Sequence, residues 1–124
     1  ATTIVDVFLA EATDASQPQG QGRYTSYEVC TITSDGHECV SWRRFSEFER
    51  LHKELALPDL PFTPQKQFFG RFDHDLIARR RAELESYLRA AVGAVGGVPP
   101  APMVRFLGMP ESMMPMPSVA EASR

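Results

Sequence analysis

The chain has 124 residues, 43% of them hydrophobic and 23% charged, with a formal net charge of −3. That composition excludes wholesale disorder and a disulfide-rich miniprotein, and the length suits one domain. Residues 1–42 hold six acids against Arg23 alone, whereas residues 43–81 hold nine bases against six acids, a balance that argues against coating nucleic acid but permits a local anion site. The apolar stretch 90–98 is far below the roughly 20 residues of a bilayer span, and no secretory signal is visible. The chain starts Ala1-Thr2 rather than with Met, which reads as a piece of a longer protein.

Residues 3–10 alternate apolar and polar and predict a first strand. Residues 11–22, rich in Gln, Ser, Gly and Pro, predict a loop. Residues 24–33 and 37–45 predict two more strands joined at Asp35-Gly36, a two-residue hairpin signal. That register sets Ser34 opposite His37, Ile32 opposite Cys39 and Cys30 opposite Ser41. The cysteines would then share a sheet face as diagonal neighbours, too far apart for an easy disulfide. They are expected to be buried or half-buried thiols in a reducing compartment, and neither has metal-site spacing.

Ser46-Glu47-Phe48-Glu49 predicts a capping box, and Phe48, Leu51, His52 and Leu55 follow at helical spacing, so a first helix is expected from Ser46 to Ala56. Pro58, Pro61 and Pro64 recur every third residue, which suits a polyproline stretch. Asp73 is the expected cap of a second helix with an apolar stripe at Ile77, Leu84, Leu88, Ala91 and Val95, ended by Gly96-Gly97. Pro99 or Pro100 starts a short third helix closed by Gly108. From Met109 onward, methionines and prolines without periodicity predict a linker or disordered tail. The folded domain is thus expected over residues 1–108, the tail over 109–124, and the fold class is α+β with a small antiparallel sheet.

Two arginines stand out. By strand parity Arg44 shares a face with Val40 and Trp42, taken as the apolar side, beside the N-terminus of the first helix, where a guanidinium and free N–H groups make an anion site. Arg80 interrupts the stripe Ile77, Leu84, Leu88; it either pairs internally with an acid of the basic middle or faces a ligand. Arg79 and Arg81 have ordinary solvent-facing alternatives. Nothing supports catalysis: there is no Ser/His/Asp order, no metal cluster and no Walker-type glycine loop.

Three motifs in order, Arg43-Arg44-Phe45-Ser46-Glu47-Phe48, Leu60-Pro61-x-x-Pro64-x-Lys66 and Ile77-x-x-Arg80-x-x-x-Leu84-x-x-Tyr87-Leu88, resemble the phox-homology (PX) domain over about residues 3–108. The resemblance implies a three-stranded sheet packed on a helical subdomain with a polyproline loop. It implies a non-enzymatic, cofactor-free reader of phosphoinositides, most often phosphatidylinositol 3-phosphate, cytoplasmic and peripheral on endosomal membranes. On that resemblance Arg44 grips the 3-phosphate, Phe45 stacks beneath the inositol ring, Lys66 contacts the 1-phosphate and Arg80 holds the 4- and 5-hydroxyls. Ser46 is a secondary contact, and Phe68 and Phe69 stand where some relatives carry a membrane-inserting loop. The competing reading is a protein-interaction module of the same fold, using the proline loop or a helical face.

Overall fold

A computed structural model of the chain describes residues 2–16, 23–62, 64 and 74–110. Among these the elements run β1 (Ile4–Ser16), β2 (Arg23–Thr33), β3 (Glu38–Arg44), α1 (Phe45–Leu55), α2 (His74–Ala94) and α3 (Ala101–Leu107). The strands form one antiparallel sheet in the order β1-β2-β3. The α+β architecture expected from the sequence is the one observed.

β1 corrects the expected loop over residues 11–22, because its last residues pair on from Ala12 opposite Tyr27 to Ser16 opposite Arg23. Pairing with β2 overrides a composition poor in strand formers. β1 also carries two bulges. Pairing steps from Ile4–Thr33 to Asp6–Ile32, and from Leu9–Val29 to Ala12–Tyr27, each time using one extra residue on β1. Val5-Asp6 and Ala10-Glu11 therefore both face outward, while Ile4, Val7 and Leu9 stay buried.

The hairpin differs from expectation by one residue. Its loop is Ser34-Asp35-Gly36: the Thr33 N–H donates to the His37 carbonyl at 2.9 Å, and the Gly36 N–H donates to the Thr33 carbonyl at 2.9 Å. Gly36 takes the left-handed conformation, φ 86°, that completes a type I turn with a bulge. Ile32 consequently pairs with Glu38, Thr31 with Cys39, Cys30 with Val40 and Val29 with Ser41. A one-residue slip exchanges the faces. The cysteines lie on opposite faces, both buried and free, and burial raises both thiol pKa values. Cys39 and Ser41 point inward, while Val40 and Trp42 are exposed. Arg44 thus lies on the outer face, not on the core side.

The inner sheet face packs Val7, Leu9, Tyr27 and Val29 against Phe48 and Leu51 of α1, Leu84 and Leu88 of α2, and Met103 and Leu107 of α3. Each such side chain contributes about 1.5–3 kcal/mol by leaving water. Met109, first residue of the expected tail, is also buried; residues 111–124 lie outside the described set.

α1 begins one residue early, with Arg44 as N-cap, so the Ser46–Glu49 capping box is not the one used. Glu47, at the third helical position, accepts the Arg44 N–H at 3.0 Å instead. Ala56 closes α1 at φ 49°. The following prolines do not run as one polyproline stretch, because the Leu60 N–H turns back to the Leu57 carbonyl at 3.3 Å. Asp73 lies outside the described residues. The stripe on α2 buries Leu84, Leu88 and Ala91 as expected, and Gly96 and Gly97 follow its end at positive φ. Pro100 caps α3 and Gly108 ends it at φ 72°.

α2 is fixed to β1 by side chains one turn apart. The Leu9 N–H donates to Glu85 Oε2 at 2.9 Å, the Leu9 carbonyl accepts from Arg81 at 2.8 Å, and the Val7 carbonyl accepts from Arg89 at 2.9 Å. Arg81 is therefore a structural residue rather than a free surface cation.

Candidate anion-binding site

The strand-to-helix junction directs two consecutive arginines apart. Arg43, on the inner face, donates from Nε to the Phe106 carbonyl at 2.7 Å and from its two terminal nitrogens to the Arg105 carbonyl at 2.9 Å and Glu47 Oε2 at 3.1 Å. All three nitrogens of its guanidinium are engaged. Arg44, on the outer face, lays its guanidinium over the Tyr24 ring, 4.3 Å from the centroid. Its backbone is the N-cap of α1, whose first-turn N–H groups have no partner within the helix.

Phe45 opens α1 and is buried, at 8% exposure. The Arg80 guanidinium lies over its ring at 4.8 Å, and Arg80 itself is only 7% exposed. Arg80 is thus the inward-pointing cation that the interrupted stripe predicts. Behind this pair the rings interlock. Phe62 of the proline loop meets Phe45 at 5.7 Å and Tyr87 at 5.0 Å, edge to face, and His52 Nδ1 shares a 3.1 Å hydrogen bond with the Tyr87 hydroxyl. Burial pushes the Tyr87 pKa up to about 12. Such edge-to-face contacts contribute about 0.5–1.5 kcal/mol each beyond their area, so α1, α2 and the proline loop are held as one wall.

Of the residues marked in the sequence, the structure brings Phe45 and Arg80 into contact and sets Arg44 next to them along the chain. Ser46 is exposed in the first turn of α1. Lys66, Phe68 and Phe69 lie outside the described residues. Tyr24 and Phe62 were not anticipated. Tyr24 was legible only from the true register, which places Ser26 opposite Arg44 and Tyr24 one diagonal step away. Among the described residues no group of acids, histidines and cysteines is arranged to hold a metal, and no helix is long and apolar enough to cross a membrane.

The family model for the PX domain matches residues 31–95, more than half of the chain. The chain belongs to the PX domain family. It is 33% identical over 102 residues to human sorting nexin-15, covering 70% of this chain and 30% of that protein. It is 35% identical over 92 residues to sorting nexin-3 of Schizosaccharomyces pombe, covering 64% of each. The chain thus spans less than a third of the sorting nexin-15 it matches. Two solved PX domains share the fold: a designed CISK-PX domain, with TM-score 0.70, 24% identity and coverage of 83% of this chain and 98% of that one, and the mouse SNX19 PX domain with bound sulphate ion, with TM-score 0.68, 22% identity and coverage of 89% and 100%. As a PX domain with sorting-nexin relatives, the chain is of the phosphoinositide-binding, membrane-targeting class.

Proposed function

We propose that this PX domain reads phosphatidylinositol 3-phosphate on the cytoplasmic face of endosomal membranes, as a binding module rather than an enzyme. The observation that carries the reading is the Arg80 guanidinium, held at 7% exposure on the Phe45 ring. A cation oriented by the fold before a ligand arrives loses little further freedom on binding. In this reading Arg80 takes the ring hydroxyls, and Phe45 serves first as the platform that aims it and then as a face for the inositol.

Arg44 is the proposed 3-phosphate ligand. Its contact with Tyr24 is a cation–π interaction worth about 0.5–1 kcal/mol at an exposed site. A bidentate, charge-assisted bond to phosphate is stronger, and the N-terminus of α1 adds to the pull on the anion. The phosphate therefore draws Arg44 off the ring. Ser46 lies in the same helical turn as a secondary contact. Lys66 as the 1-phosphate ligand, and Phe68 and Phe69 as inserting residues, complete the proposal on sequence grounds. Arg81 is tied to Leu9 and Glu85, which leaves Arg79 as the exposed arginine flanking Arg80 on α2. An added 4- or 5-phosphate would lose hydration without a fixed partner.

Vesicle pelleting over the phosphoinositide series at about 0.15 M ionic strength tests this. Phosphatidylinositol 3-phosphate should bind best, and Arg44→Ala should remove most of that binding while circular dichroism stays unchanged. Undiminished binding by folded Arg44→Ala would refute the site, and tighter binding to any bisphosphate would refute the selectivity.

A further inference from the structure

The outer face of the sheet carries a second surface. Phe8, Cys30 and Val40 pair directly across the three strands, forming an apolar row on the side away from the core. The β1 bulge places Val5 beside this row, on the side of Ile32, and Trp42 continues it along β3. Val5, Val40 and Trp42 are 60%, 46% and 45% exposed; with Val98 they are the exposed large apolar side chains among the described residues. A solvated sheet face normally alternates to polar residues, and contiguous exposed apolar surface marks a contact site where scattered residues do not.

The rim of this patch is acidic. Glu38 flanks Ile32 across the strands, Glu28 lies opposite Trp42, and the second bulge turns Glu11 outward. Asp6 faces the same way, within 3.7 Å of Arg89. Arg44 stands at the far end, on Tyr24. This charge decides among occupants. An anionic membrane is repelled, and a second copy would set carboxylates against carboxylates. A lysine- or arginine-bearing segment with apolar anchors satisfies both the patch and its rim.

We propose that the outer sheet face docks a basic polypeptide segment whose aliphatic or aromatic side chains cover Val5, Val40 and Trp42. The surface is separate from the Arg80–Phe45 pair and does not depend on the lipid reading.

Trp42 is the only tryptophan in the chain, so its emission reports the face directly. The chain is titrated with a synthetic peptide of alternating lysine and leucine, with its glutamate–leucine counterpart, and with phosphatidylserine vesicles free of phosphoinositide. The lysine peptide alone should give a saturable blue shift, weakening several-fold as salt rises from about 0.05 to about 0.15 M. Val40→Asp and Glu38→Lys, two exposed positions, should each weaken it about tenfold with unchanged circular dichroism. The proposal is overturned by no shift, by an equal shift with the glutamate peptide or the vesicles, or by a shift that grows with protein concentration alone. It is equally overturned if both folded variants bind the lysine peptide as the parent does.

Discussion

Where β3 runs into α1, Arg43 turns inward and Arg44 outward. Arg43 closes the C-terminal carbonyls of α3 and an ion pair with Glu47. Arg44 rests on one aromatic ring at the sheet surface. The side chains are chemically the same, and strand parity alone separates their surroundings. What differs is the number of acceptors each would abandon to meet an anion. An arginine bonded to two main-chain carbonyls is part of the scaffold, whereas one stacked on a half-buried ring can be recruited.

The sharpest way to break this comparison is Arg43→Ala. Removing it leaves the Phe106 and Arg105 carbonyls without their charged donor and should lower stability by about 2–4 kcal/mol in urea denaturation. A loss below about 1 kcal/mol would mean that Arg43 is as dispensable as a surface arginine. Arg44→Ala should do the reverse. Its fold should lose at most about 1 kcal/mol, while affinity for vesicles carrying phosphatidylinositol 3-phosphate should fall more than about tenfold, a difference of about 1.4 kcal/mol. Glu47 serves both arginines, through Oε2 to the Arg43 guanidinium and Oε1 to the Arg44 N–H. Glu47→Ala should therefore cost about 1 kcal/mol of stability with a smaller effect on binding.

The smallest effect belongs to the hairpin tip, far from both arginines in pairing. The Thr33 hydroxyl and the His37 ring hold the Asp35 carboxyl down from its ordinary 3.8 to about 2. Because the charged form is favoured in the folded state, this contribution is complete above about pH 4 and is lost as pH falls toward about 2. Thermal midpoints of the parent and Asp35→Asn should differ slightly at neutral pH and converge at the acid end. A difference that persisted through that window would remove Asp35 from the account.

The helical half was the more legible in sequence. The stripe Leu84, Leu88, Ala91 and the stops at Gly96 and Gly108 depend on local periodicity and on left-handed glycines, both visible in one dimension. Arg80 was visible for the same reason, as a charge where the stripe demanded an apolar residue. The sheet was misread at single residues. Asp35-Gly36 is compatible with both a two- and a three-residue loop, and the hydrogen bond from Thr33 that decides between them is not written in composition. That one slip set the cysteines on the same face, and Arg44 was placed on the core side because Val40 and Trp42, apolar yet exposed, read as inward residues. The β1 bulges escaped because an inserted outward residue looks like a lapse in alternation. Glu47 capping in place of Ser46 follows from where strand pairing ends.

The attachment of α2 to β1 bears on how this protein behaves when crowded. A bare strand edge is a template on which further strands add. Here Arg81, Glu85 and Arg89 already occupy the main-chain groups of Val7 and Leu9 that an incoming strand would need. Filament growth by strand addition requires two open edges on every unit, so that each copy can both receive a strand and offer one. With the Val7–Leu9 stretch of the β1 edge taken up by a helix, a strand that adds at β3 finds no matching open edge along that stretch, and growth there has nothing to extend.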